Sequence, residues 1–260
     1  MKKNLYYHAV PRRRNVIKEA TLNLLFGLTS WPRLLIEVFL RKRFGERYFS
    51  MATAVIMTVI LFFVPILIAK ITGFGNHFGR GSDGFFLIIL KNITWYIFLA
   101  LFMYQCVKRQ KEIAREPSVF DFARFSLCTG EIHSKFYGIK VMGKYADHRT
   151  ISTLLEPGLA LAVGILLTAM FQKLGVLLII SSIGYSLSWY GAYRKGDEFV
   201  MDTIDEMICN EEMVESFVND AKSEDTRGFH FTGRRPDNPQ FRKQVVESFF
   251  EEDKGFADVF

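Results

Sequence analysis

The chain is poor in the residues on which metal and redox chemistry is usually built. Its three cysteines, Cys106, Cys128 and Cys209, form no CxxC pair, and its five histidines supply no HExxH motif. The sequence therefore predicts free thiols, no metal and no cofactor. No motif names a reaction, so the expected protein is not an enzyme. The basic start, Met1–Arg14, is not followed by an apolar core, which argues against a cleaved leader and for a retained N-terminal arm.

The most informative absence is of charge. Pro157–Phe171 and Leu174–Tyr193 contain no Asp, Glu, Lys or Arg, and only Gln172 and Lys173 separate them. In water, so much adjacent apolar sequence would need burial on every side, whereas a bilayer accepts it directly. Leu154–Arg194 thus reads as a membrane hairpin. Glu156 before Pro157 looks like the start of its first helix, with the carboxylate at the positive end of the dipole. A hydrophobic content of 50%, 26 Phe and a mean hydropathy of +0.14 agree with partition into a membrane.

Two further apolar stretches complete the count. Met51–Ile71 is expected to span with a kink at Pro65 and Lys70 snorkelling from its far end, and Phe85–Val107 is expected to return, with Lys91 as an anchor. Residues 1–50 form a basic arm, 51–107 the first two spans, 108–150 a cytoplasmic loop, 151–193 the hairpin and 194–260 an acidic tail. The fold class is all-α: a polytopic membrane protein with four transmembrane helices, interfacial N-terminal amphipathic helices and a cytoplasmic helical C-terminal tail. Asn15–Leu28 and Pro32–Phe44 supply the interfacial pair, with Arg41, Lys42, Arg43 and Arg47 at anionic headgroups.

Small residues recur every four or so positions in the hairpin. Ala160, Gly164 and Thr168 form one stripe, and Ser181, Gly184 and Ser188 form another that should match it across the hairpin.

Charge is segregated. Residues 1–50 hold 11 Lys/Arg against 3 Asp/Glu, and residues 194–260 hold 9 against 17, so net +8 faces net −8. Basic loops alternate with weakly charged ones, which places both termini in the cytoplasm, with a bacterial inner membrane as the expected setting. No folded basic reader domain is present, so no nucleic-acid partner is expected.

Three local patterns were candidates for chemistry. Gly138–Tyr145 (GIKVMGKY) approaches the phosphate-loop pattern, but Tyr145 replaces the metal-binding hydroxyl. Gly79–Gly84 matches GxGxxG without a βαβ context. Glu131, His133, Asp147 and His148 share one loop without metal or catalytic spacing, and read as solvated residues.

Asp197–Val218 reads as an amphipathic helix with an apolar stripe through Val200, Ile204, Met207/Ile208, Val214 and Val218, broken by Glu211. Its acids Asp202, Asp205, Glu206, Glu212 and Glu215 suit a basic partner, or the chain's own basic arm. The expected role is a non-enzymatic subunit or scaffold of an envelope assembly of secretion, conjugation or motor type. Its partners are the lipid bilayer and other protein subunits, including copies of itself. A small transporter or channel, and a membrane enzyme acting on lipid or peptide, are the alternatives.

Overall fold

The structure is a computed structural model, and it describes residues 3–11, 16–74, 89–113 and 125–251. The glycine-rich segment with the GxGxxG match, the start of the second expected span, the side chain of Lys70 and the last residues, Phe256 to Phe260, lie outside it. The protein is mostly helical. Its principal helices are α1 (Leu5–Ala9), α2 (Val16–Leu40), α3 (Met51–Phe74), α4 (Ile93–Ile113), α5 (His148–Ala169), α6 (Lys173–Val218) and α7 (Pro239–Ser248). Three of them, α3, α5 and α6, are long and apolar enough to cross a membrane. The chain divides into two compact units, residues 22–191 and residues 1–21 with 192–260.

In the first unit, helices that should break are repaired by their neighbours. Pro65 lies inside α3 and cannot donate to the carbonyl of Leu61, four residues back. The indole Nε1 of Trp95 on α4 donates to that carbonyl instead, at 2.9 Å. Pro157 likewise frees the carbonyl of Thr153 in α5, and Ser186 Oγ on α6 donates to it at 2.7 Å. In an apolar medium an unsatisfied carbonyl is costly, and such repairs are what let proline persist in membrane helices.

The repair at Pro157 also corrects the expected start of α5. The helix begins at His148, capped by Asp147, whose Oδ1 accepts from Thr150 N at 2.9 Å, and it passes through a π-helical turn at Ile151–Leu155. Glu156 is therefore within the helix and does not cap it.

The N-terminal region departs from expectation in a second way. Two short interfacial helices were expected, but α2 is continuous through Pro32 for 25 residues. Gly184 of α6 faces this proline, where a Cβ would sit in ordinary van der Waals contact, 3.4 Å from Pro32 Cβ.

The apolar contacts of this unit gather α2, α3 and α4 around Leu35, Val38, Phe44, Met57, Phe102 and Cys106. Trp95 and Leu99 of α4 meet Leu174 and Leu178 of α6 in a second cluster. After α2, residues 42–47 run beside 126–131, with Glu131 N donating to Lys42 O at 2.7 Å and Gly45 N to Cys128 O at 2.7 Å. Gly45 has no space for a side chain, because a Cβ would fall 2.2 Å from Ser126 O.

The region around the phosphate-loop near-match is a small hairpin of β2 (Lys140–Val141) and β3 (Lys144–Tyr145). Met142 and Gly143 both have positive φ, the signature of a type I′ turn, and no helix opens at that turn.

The second unit is built from both ends of the chain. β1 (Lys3–Asn4) pairs antiparallel with β4 (Phe250–Glu251). Asn4 is fully buried and saturated: its Oδ1 accepts from Tyr7 N, its Nδ2 donates to Asn210 Oδ1 at 2.5 Å, and its backbone N donates to Glu206 Oε1 at 3.0 Å. Around it Tyr6 stacks on Phe231 at 4.7 Å between ring centroids, and Phe217 meets Phe231 edge-on at 4.5 Å. Cys209, Met213, Phe249 and Val246 close this aromatic core. α7 is capped by Asn238, which accepts from Gln240 N, and has Pro239 at the first helical position.

Candidate functional site

The strongest concentration of chemistry in the described residues is a buried charge network in the first unit. Three ionisable residues of α2 and its end, Arg33, Glu37 and Arg41, are spaced by four and so share one helix face. Arg41 and Glu156 are both fully buried. Arg41 Nε donates to Glu156 Oε1 and Oε2 at 3.1 and 3.0 Å, and its Nη2 donates to Glu156 Oε2 at 2.5 Å and to Ser152 Oγ at 2.8 Å. Tyr185 of α6 adds its hydroxyl to the same carboxylate at 2.5 Å. Helices α2, α5 and α6 therefore meet on one carboxylate.

A second pair sits beside the first. Arg33 Nε donates to Glu37 Oε1 at 2.7 Å and Arg33 Nη1 to Ser188 Oγ at 3.1 Å, while Tyr48 donates to Glu37 Oε2 at 2.6 Å. The Trp189 ring joins the pairs, with Arg33 Cζ 4.2 Å and Arg41 Cζ 4.4 Å from its centroid. Flat guanidinium groups and an indole face attract through cation–π contact, more strongly where water is excluded. Burial opposes the charge of Arg33, yet the Glu37 carboxylate outweighs it and leaves the guanidinium more firmly protonated than usual. Burial, then the same carboxylate, pushes the Tyr48 phenol well above its ordinary range. Two cations face two anions, and the network is neutral.

The loop that covers Arg41 needs Gly130. Its φ is +86°, and a Cβ would lie 2.8 Å from Phe44 Cε1 and 3.0 Å from Arg41 Cβ, so a side chain would push the lid off the ion pair. Such an arrangement clamps three helices. It holds both carboxylates in multiple hydrogen bonds.

No protein-family model, curated protein or solved structure matches the chain. Function must be argued from the residues alone.

The structure separates the residues singled out by sequence. Of the four cations placed at headgroups, Lys42, Arg43 and Arg47 are exposed, and Arg43 pairs with Glu131 at 3.2 Å. Arg41 is a correction: it lies wholly inside the protein, because Glu156 supplies the anion that the lipid surface was expected to supply.

The first small stripe lies against α6. A Cβ on Gly164 would meet Ile179 Cγ1 at 2.9 Å, and one on Gly175 would meet Thr168 Oγ1 at 2.3 Å. Ala160 is buried on the same face. The second stripe faces elsewhere. Gly184 lies against Pro32 and Thr29 of α2, and Ser188 bonds to Arg33, so these positions, with Ser181, form a seat for α2. The face of α6 that meets α5 is instead Gly175, Ile179, Ser182 and Ser186, with Ser182 Oγ donating to Pro157 O at 2.6 Å.

In the tail, Glu206 accepts from Asn4 N and lies 3.5 Å from His8, Glu212 pairs with Arg227 at 2.6 Å, and Glu215 accepts from Asn219 Nδ2 at 2.9 Å. Asp205 is exposed and Asp202 half-buried. Most of the expected apolar stripe of this helix is not its packed face, although Val218 joins the core and Ile208 is half-buried. Val200, Ile204, Met207 and Val214 are exposed, and the buried side is Cys209, Met213 and Phe217.

Sequence reasoning missed Arg33, Glu37, Glu156, Tyr185 and Trp189 as one assembly. The signal was present in the fourfold spacing of Arg33, Glu37 and Arg41 along an otherwise apolar face, and in a lone acid beside the uncharged hairpin. Asp147 and His133, from the loop cluster, cap helices. Among the described residues no three His, Cys, Asp or Glu side chains are placed to hold a metal.

Proposed function

We propose that the protein is a non-enzymatic integral membrane subunit whose second unit docks other proteins of a multi-protein envelope assembly. The observation that carries this reading is a helix apolar on two opposite faces. Residues 197–218 use Cys209, Met213 and Phe217 for their own core, and still present Val200, Ile204, Met207 and Val214 outward. A surface helix ordinarily keeps its outward face polar, and a row of exposed apolar side chains rimmed by charge marks an interaction surface. Glu211 and Glu215 lie along and beside that row and suit a partner with basic residues at the rim of an apolar face.

The same reading has four crossings and both termini in the cytoplasm, with α2 at the membrane surface. Pairing of β1 with β4 supports it by parity. Ends that form one ladder lie on one side of a membrane, which requires an even number of crossings. The three apolar helices then need a fourth, and α4 is the helix best placed in the sequence to supply it. The basic arm and loop set the cytoplasmic side.

The test is co-purification after gentle detergent extraction. The double variant Ile204→Asp, Met207→Asp alters exposed positions only, so it should lose the partner and keep its melting temperature. Unchanged co-purification would reject the docking role. A second reading, a small transporter, draws on the buried Arg41–Glu156 pair, because ionisable groups in membrane helices often mark ion paths. Ion flux in proteoliposomes that disappears in Glu156→Gln would establish it instead.

A further inference from the structure

We infer that the first unit carries a site for one glycerophospholipid, held by an acyl chain and by a hydrogen bond from Ser181 to the chain's ester carbonyl. A cleft of about 530 Å³ opens between α2, α3 and α6, within the range of ligand-binding sites. Its floor contains Leu35, Met57 and Ser181, all buried, and its lips include Leu28, Ile60 and Trp31, which are exposed.

The walls are apolar apart from one group. Ser181 Oγ is fully buried and has no hydrogen-bond partner among the described residues. A serine in a membrane helix ordinarily returns its hydrogen bond to its own backbone or to a neighbouring helix, as Ser182 and Ser186 do here. Ser181 does neither. An apolar cleft with one vacant donor and no charged lining fits a ligand that is almost all hydrocarbon and carries a hydrogen-bond acceptor. It does not fit a phosphate headgroup, which would call for a cation or several donors.

Position selects the ligand among apolar molecules. Two of the three walls, α3 and α6, are membrane-crossing by length and composition, so the open side of the cleft faces acyl chains. Ser181 is three residues from Gly184, about 4.5 Å of helix rise, and Gly184 is where Pro32 of α2 packs. Trp31 at the lip belongs to the same turn of α2, and indoles favour the level between headgroups and tails. Ester carbonyls of glycerophospholipids occupy that level.

Gly27 keeps the cleft open. It lies on the lining, and a Cβ there would meet nothing within 4 Å, so a larger side chain can enter the space without a backbone clash. The inference rests on the membrane-crossing helices and is independent of the docking role of the second unit.

The full chain, extracted in detergent and delipidated, would be offered dioleoyl phosphatidylcholine or its ether-linked counterpart, which has no ester carbonyl. Lipid retained per chain would be read by native mass spectrometry. Wild type should retain one ester lipid with about fivefold preference over the ether lipid, the ratio that one net hydrogen bond supplies. Ser181→Ala should bring the ratio to about one by removing that bond. Gly27→Phe should fill the cleft and abolish retention of both lipids. Equal retention of ester and ether lipid by wild type would overturn the site, whatever the variants do, and so would a preference that survives Ser181→Ala.

Discussion

The two units differ in where they keep their charge pairs. Residues 22–191 bury Arg41, Glu156, Tyr185 and Ser152 and expose Phe63, Leu166 and Ile180. The unit made from the chain ends buries Tyr6, Phe217 and Phe231 and exposes the ion pairs Arg227–Glu211 and Arg235–Asp220. The first unit thus keeps its strongest ion pairs inside, whereas the second leaves its ion pairs at or near the surface. Where the surroundings are hydrocarbon, association cannot come from apolar burial and must come from hydrogen bonds, ion pairs and close backbone approach. Where they are water, aromatic burial suffices.

The largest effect that would sharpen this contrast is at Arg41. Arg41→Ala leaves Glu156 as a buried charge without its counter-ion, at a cost of about 3–5 kcal/mol, whereas Arg41→Met with Glu156→Leu should recover most of that loss. Thermal unfolding in detergent over the double-mutant cycle measures it. A single variant as stable as wild type would show that the clamp does not hold the helices.

Phe231→Ala is the counterpart in the other unit. Deleting a buried ring should cost about 3 kcal/mol or more. Hydrogen exchange should then rise in residues 209–217 and 239–248 while α3 and α5 keep their protection. Loss of protection in both units would break the distinction between them.

The close approaches come next. Gly175→Ala forces a Cβ to within 2.5 Å of Gly164 O, so it should cost about 1–3 kcal/mol, and Gly164→Leu should do likewise. Leu166→Ile, at an exposed position, should be nearly silent. Trp95→Phe keeps the ring but strands the carbonyl freed by Pro65, for a loss of about 1–3 kcal/mol. Melting temperatures of these four variants give the order.

The smallest effect is a pH dependence confined to the second unit. The Arg242 guanidinium, with Arg235, holds the Asp220 carboxyl below its ordinary range. A depressed carboxylate contributes stability that is present above its unfolded pKa, about 3.9, and is lost as pH falls through the folded value. Amide protection in α7 should therefore stay level down to about pH 4 and fall only below it. A loss between pH 5 and 7 would point to another group.

Much of the architecture was readable from residue order. The uncharged hairpin, the apolar Met51 helix and the Gly164 stripe follow from local patterns that the fold merely uses. What could not be read is which face meets which helix. Ser181, Gly184 and Ser188 form a genuine small stripe, but their neighbour is α2, and nothing local distinguishes that from α5. Arg41 at the end of a helix looks like a headgroup anchor until Glu156, 115 residues away, arrives beside it. Val200 and Ile204 have the period of a core face, and the core formed on the opposite side because the N-terminal segment packs there.

Joining Lys3–Asn4 to Phe250–Glu251 also sets an order of events during synthesis. The rings and strand that Tyr6 and Tyr7 pack against come some 220 to 240 positions later in the chain. At about 5–20 residues per second the ribosome needs on the order of 10 to 50 s to supply them. Through that interval the first segment waits without its fold while the apolar helices leave the ribosome and enter lipid. Closure of the ladder is thus a late step, which follows synthesis of every intervening helix.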